Sequence, residues 1–119
     1  MEKDRKISNL DYFSDLVSGD KEMILEIIDT FLTQIVDESG ILYKAIIDID
    51  YKTIKTSSHN MKSTLSIVGA VSLLPLLNEI EDLAIEESNI ETISEQTNDL
   101  KIYIKRIVEE IKEDRENYI

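Results

Sequence analysis

The chain has 119 residues, enough for one domain with one hydrophobic core. Its 25 acids against 13 Lys and Arg give a net charge of −12. That argues against nucleic acid, which is bound through basic contacts to phosphate, and against an anionic membrane surface. There is no cysteine and one histidine, which excludes disulfides, thiol catalysis and the usual zinc sites.

No apolar run follows the opening Met1–Lys6, so no secretory signal is expected. The longest uncharged stretch, Ser63–Asn78, is too short to span a bilayer and carries Pro75. The expected location is cytoplasmic. Three glycines, none closely spaced, leave no phosphate-cradling loop, and no run alternates with the period of a strand.

The apolar residues instead follow helical spacing throughout. A short first segment, Asn9–Val17, carries Leu10, Phe13, Leu16 and Val17, with Ser8 as its expected cap and Gly19 as its end. It is too short to stand alone and is expected to pack on other helices. A second helix is expected from Lys21 to about Ile49, capped by Asp20. Its stripe is Ile24, Ile27, Ile28, Phe31, Ile35, Leu42, Ala45, Ile46 and Ile49, with Gly40 marking a bend. A third runs from Tyr51 to Val68, capped by Asp50 and closed by Gly69. A fourth runs from about Leu73 to Glu87, with Ser72 as cap and Pro75 in the first turn, where a missing N–H costs little. The fifth, from near Ile90 to about Glu113, carries Ile90, Ile93, Thr97, Leu100, Ile104, Ile107 and Ile111. Ser88 and Glu91 stand before it at capping-box spacing.

Short connections make neighbouring helices antiparallel. The expected fold is all-α: an up-down four-helix bundle over residues 1–119, with the short N-terminal helix packed on one end. Four stripes that satisfy one another predict a monomer. The acidic groups Glu79-Ile80-Glu81-Asp82, Glu86-Glu87 and Glu109-Glu110 read as solvated helix faces.

The third helix stands apart. The 28 residues from Tyr51 to Asn78 contain no acid, yet hold Lys52, Lys55, Lys62 and the only histidine, His59. On a helical wheel at about 100° per residue, Lys52, Lys55, Thr56, Lys62, Ser63 and Ser66 fall within about 60° of His59. Ile54, Met61, Leu65 and Val68 fall on the opposite side. His59 therefore points away from the core, among lysines and small residues that leave its ring clear for another protein's surface. One histidine is no metal site, and a convex helix face offers no enclosed cleft for hydrolysis. An exposed imidazole beside lysines suits acceptance of a phosphoryl group. The lysines disfavour the imidazolium before transfer and offset phosphoryl charge after it.

Residues Ser57-Ser58-His59-Asn60-Met61-Lys62-Ser63-Thr64-Leu65-Ser66-Ile67-Val68-Gly69-Ala70 resemble the signature of the histidine-containing phosphotransfer (HPt) family. There the accepting histidine is followed by an aliphatic residue at +2, Lys at +3, a small residue at +4 and Gly-Ala at +10 and +11. Met61, Lys62, Ser63, Gly69 and Ala70 occupy those positions here. Ser63 departs from the glycine usual at +4. The resemblance implies a phosphocarrier rather than an enzyme, with no cofactor of its own. It would relay a phosphoryl group between aspartates of receiver domains, of response regulators or hybrid sensor kinases, through phosphohistidine at His59. The receiver supplies Mg²⁺. The resemblance further implies that the ring nitrogen farther from the backbone reacts, with Lys62 steadying the phosphoryl group and Lys55, Asn60, Ser63 and Ser66 in the partner's contact.

Ser58-His59 with Lys62 and Leu65 also resembles the histidine box of sensor-kinase dimerisation domains, although that motif's acid and proline are replaced by Asn60 and Thr64. A third reading is a helical interaction module that carries no phosphate.

Overall fold

The computed structural model describes residues 6–119. The opening segment, read above as lacking a signal, lies outside the described residues up to Arg5. Five α-helices follow in order: α1 (Asp11–Leu16), α2 (Lys21–Ile47), α3 (Tyr51–Ile67), α4 (Leu74–Ile85) and α5 (Ile90–Arg115). Two 3₁₀ turns, Val71–Leu73 and Glu116–Tyr118, complete the order, and the described residues contain no strand. No helix among them is long and apolar enough to cross a membrane.

Two of the expected caps close as side-chain chemistry dictates. Asp20 accepts from Met23 N, and Asp50 accepts from both the N–H and the hydroxyl of Thr53. α2 is helical without interruption through Gly40 and ends at Ile47 rather than Ile49. Ile49 adopts a left-handed φ of 52° in the turn, and so leaves the core stripe for solvent.

Three other expected caps do not form. Ser8 is held by Glu110 instead, and Asn9 Oδ1 accepts from Asp11 N at 2.8 Å in its place. Ser72 lies inside the 3₁₀ turn, which leaves Leu73 at the head of α4 and Pro75 in its first turn. Asn89, in a left-handed conformation, takes the N-cap position of α5 without a side-chain bond. The Ser88–Glu91 box is thereby displaced, and Ser88 N is spent on Leu83 O.

α2 packs on α3 and α5, and α4 packs on the same two helices, so the four long helices contact one another in a ring. The stripes read from the sequence meet inside it. Ile28, Phe31, Ile35 and Leu42 of α2 are buried with Ile54, Met61 and Leu65 of α3. Leu77 and Ile80 of α4 join them, as do Ile93, Leu100, Ile107 and Ile111 of α5. Of the short first segment Leu10 joins this core and Val17 packs against it, while Leu16 is exposed.

The segment before α1 straps two helix ends together. Asn9 N donates to Val68 O at the end of α3. Ile7 N, Ser8 N and Ser8 Oγ all donate to Glu110 of α5, which is 9% exposed. Lys6 pairs with Asp114. Burial pushes the Glu110 carboxyl up, but the bonds from Ser8 and Ile7, with Arg106 beside it, outweigh that and hold it below the ordinary value.

A group whose folded value is depressed stabilises the fold above its unfolded value, near 4.5, and loses that contribution as pH falls through the folded value. Melting curves taken from pH 7 down to pH 3 should therefore decline less steeply on the acid side for Glu110→Gln than for the parent. At pH 7 the variant should already be about 1–2 kcal/mol less stable. Parallel acid limbs would show that Glu110 does not hold the strap.

Candidate functional site

α3 turns a polar, sparsely bonded face outward because its apolar residues recur on the other side. Ile54, Met61 and Leu65 are fully buried, and Ser57, Ser58 and Thr64 join them as small inward residues. Ser58 Oγ returns to Ile54 O, and Thr64 Oγ donates to Glu38 of α2 at 3.0 Å. The wheel reading of His59 holds: its side chain is 65% exposed. Lys52, Lys55, Thr56, Asn60 and Ser63 share the exposed face. Ser66 is half-buried, with its hydroxyl turned back to Lys62 O at 2.7 Å.

The acid-free stretch is not acid-free in space. Gly69 and Ala70 turn the chain so tightly that α4 comes back alongside α3. His59 then meets Glu81, and Lys62 meets Asn78, both pairs centred on residue 70. His59 Nδ1 lies 3.0 Å from Glu81 Oε2. Lys62 Nζ donates to Glu81 Oε1 at 2.6 Å and to Asn78 Oδ1 at 2.8 Å. Lys62 is therefore not the free solvent-side cation its position on the wheel implies; its side chain is 24% exposed. The purely positive surroundings expected for His59 are likewise replaced by a shared carboxylate.

Glu81 is 15% exposed. Burial pushes its carboxyl up, but the hydrogen bond and charge of Lys62, and then of His59, outweigh it and hold the group below its ordinary value. An ionised carboxylate only accepts hydrogen bonds, so the proton between the two groups sits on Nδ1. In a neutral ring the lone pair then belongs to Nε2, the nitrogen farther from the backbone.

Glu81 and Asn78 are the residues that the sequence reading missed. Glu81 was grouped with the solvated acids around it. A signal was present: Glu81 sits four residues after buried Leu77 and three before buried Ala84, at the edge of the α4 stripe, whereas Glu79 and Asp82 lie on its outer side.

Cavities open elsewhere among the described residues. One of about 480 Å³ lies among Ile7, Leu73, Leu76, Glu79, Asp99 and Tyr103, and one of about 760 Å³ lies beside the N-terminal strap. His59 lines neither. It stands on the exposed face of α3. Comparison of the chain with protein-family models, with curated proteins and with solved structures finds no match.

Proposed function

We propose that this chain is a histidine phosphotransfer module of the HPt kind, relaying a phosphoryl group between receiver aspartates through phosphohistidine at His59. The observation that carries the reading is an exposed imidazole whose Nδ1 is held by a buried-edge carboxylate, leaving Nε2 to face solvent. In this reading α2–α5 run up and down as one bundle, and α1 lies on its end. The ring of contacts among these four helices favours a self-sufficient monomer over the half-bundle of a sensor-kinase dimerisation domain.

The chemistry is positioning and charge stabilisation. Nε2 attacks the phosphorus of an aspartyl phosphate, the bond from phosphorus to the aspartyl oxygen breaks, and the donor carboxylate leaves. A receiver brings the Mg²⁺ and its own lysine. Lys55, Asn60 and Ser63 lie in the contact with it, and Ser66 lies at its edge. Lys62 can swing one N–H toward the phosphoryl oxygens while Glu81 and Asn78 hold the others, since an ammonium has three donors.

The direct test is incubation with phosphorylated receiver domains, followed by mass spectrometry for an acid-labile phosphate on His59. Lys62→Ala should slow that transfer about tenfold, as expected for loss of one partly screened charge-assisted contact. It should also cost about 1 kcal/mol of stability, because Glu81 loses its cation at a mostly buried position. Lys105→Ala, exposed on α5, should change neither transfer nor melting. Equal rates for all three proteins across several receivers would remove Lys62 from the mechanism.

A further inference from the structure

The seam between α2 and α5 is looser than the seams that α3 makes with its neighbours, and it leaves a hollow of about 210 Å³. Tyr43, Ile46 and Ile47 of α2 line one side, and Thr97, Asn98 and Lys101 of α5 line the other. In the ring of helices this seam lies opposite the α3–α4 seam that carries His59 and Lys62.

Two groups in the hollow lack the partners that their chemistry calls for. Thr97 is 3% exposed, yet its hydroxyl has no hydrogen-bond partner. A helical threonine can return its hydroxyl to the carbonyl one turn back, as Thr33 and Thr56 do. Thr97 does not, and a buried hydroxyl in that state is costly. Lys101 is the second. Among the described residues no carboxylate pairs with it, in a chain with 25 acids. Its ammonium rests instead over the Tyr43 ring, 4.5 Å from the centroid.

The lining holds no carboxylate, and burial pushes the Tyr43 hydroxyl above its ordinary value, so that ring stays neutral. The hollow therefore offers donors and a cation, beside the apolar surface of Ile46 and Ile47. Ile47 is 80% exposed and stands ready to be covered.

We propose that the α2–α5 hollow is a binding site for a small carboxylate with an apolar body, a short acyl or aryl acid. Its carboxylate accepts from the Thr97 hydroxyl and from Lys101, and its body covers Ile46, Ile47 and the Tyr43 ring. An ionised carboxylate only accepts hydrogen bonds, which matches a site that supplies donors. The hollow is below the roughly 300–1,000 Å³ of sites for drug-sized ligands, so one ring or a short chain fills it. The site does not depend on phosphoryl chemistry at His59.

The test is a titration of the ¹⁵N-labelled chain with sodium benzoate, followed by NMR. Benzyl alcohol and benzylammonium, the same ring without charge and with the opposite charge, run beside it. Benzoate should shift Thr97, Asn98 and Lys101 along saturating curves with a Kd of about 1 mM, as suits so small a ligand. The other two should bind about tenfold more weakly, because they lose the charge-assisted contact. Lys101→Met keeps the apolar stem and should weaken benzoate about fivefold, the exposure of Lys101 limiting the effect. Thr97→Val should weaken it to a similar degree. Without ligand that variant should melt no lower than the parent, since an apolar group of the same shape removes the unpartnered hydroxyl.

Shifts centred on Lys52 and Lys55 would show a carboxylate meeting any exposed lysine. Equal affinity for benzyl alcohol would show an apolar crevice with no preference for an anion. Either result overturns the site, as do shifts that stay linear with concentration or an affinity unchanged in both variants. A Thr97→Val melt well below the parent's would show a hydroxyl already satisfied within the fold or by a trapped water, and would overturn it too.

Discussion

Replacing His59 by Gln should abolish phosphoryl acceptance and leave helix content and melting almost unchanged. Gln offers no ring nitrogen, so no phosphoramidate can form at this position. The rest of the contact surface is untouched. The stability side follows from exposure: 65% of the His59 side chain faces solvent, and its one bond reaches a carboxylate that Lys62 also holds. Changes at such surface positions usually stay within about 0.5 kcal/mol. Phosphate trapping followed by mass spectrometry, with circular dichroism melts alongside, reads both halves. Acid-labile phosphate on the variant at the parental level would move the acceptor elsewhere. A large fall in melting temperature would mean that His59 carries the fold rather than the function.

Replacing Gly69 by Ala should have the opposite profile, a damaged fold with intact chemistry. Gly69 ends α3 with φ at +73°, where a side chain costs about 1–2 kcal/mol. The strap adds to this. A Cβ built on Gly69 would overlap the carbonyl oxygen of Asn9 and lie 2.9 Å from that residue's carbonyl carbon and nitrogen. These are backbone atoms tied to Val68 O by the Asn9 N–H, so relief requires the whole strap to move. The combined loss should exceed about 2 kcal/mol, which for a domain of this size lowers the melting temperature by about 10 °C. Gly19→Ala is the control. It has the same sign of φ, at +72°, but nothing within 4 Å of the added carbon, so it should show the conformational cost alone. Equal losses in the two variants would show that the strap does not press on Gly69.

The two substitutions probe two halves of the motif for different physical reasons. His59, Lys62 and Ser63 present chemistry on the outer face of α3. Gly69 and Ala70, ten and eleven residues after His59, build the turn that brings α4 back beside that face and let the N-terminal strap cross it. A glycine that reads in sequence as a helix terminator is thus also the reason a carboxylate reaches His59.

Local chemistry was legible in the sequence. Spacing of apolar residues marked the five helices, because each turn of a helix returns its side chains to one face whatever surrounds it. Asp20 and Asp50 were legible as caps because they act on backbone within three residues of themselves. The outward direction of His59 followed from the same periodicity. Tertiary structure decided where the flanks of those stripes would meet. Ser8 had a local role available as a cap, but the buried carboxylate of Glu110, 102 residues away, offered a stronger acceptor. Ser88 and Glu91 stood at capping distance, but the left-handed turn at Asn89 took their place. Glu81 looked like one acid of a solvated run. Its helix edge faces α3 only because α3 and α4 pack antiparallel around a tight turn, and electrostatic partners are chosen by distance in space. Sequence therefore determined that the one histidine is exposed and on which face, and packing alone decided which carboxylate meets its ring.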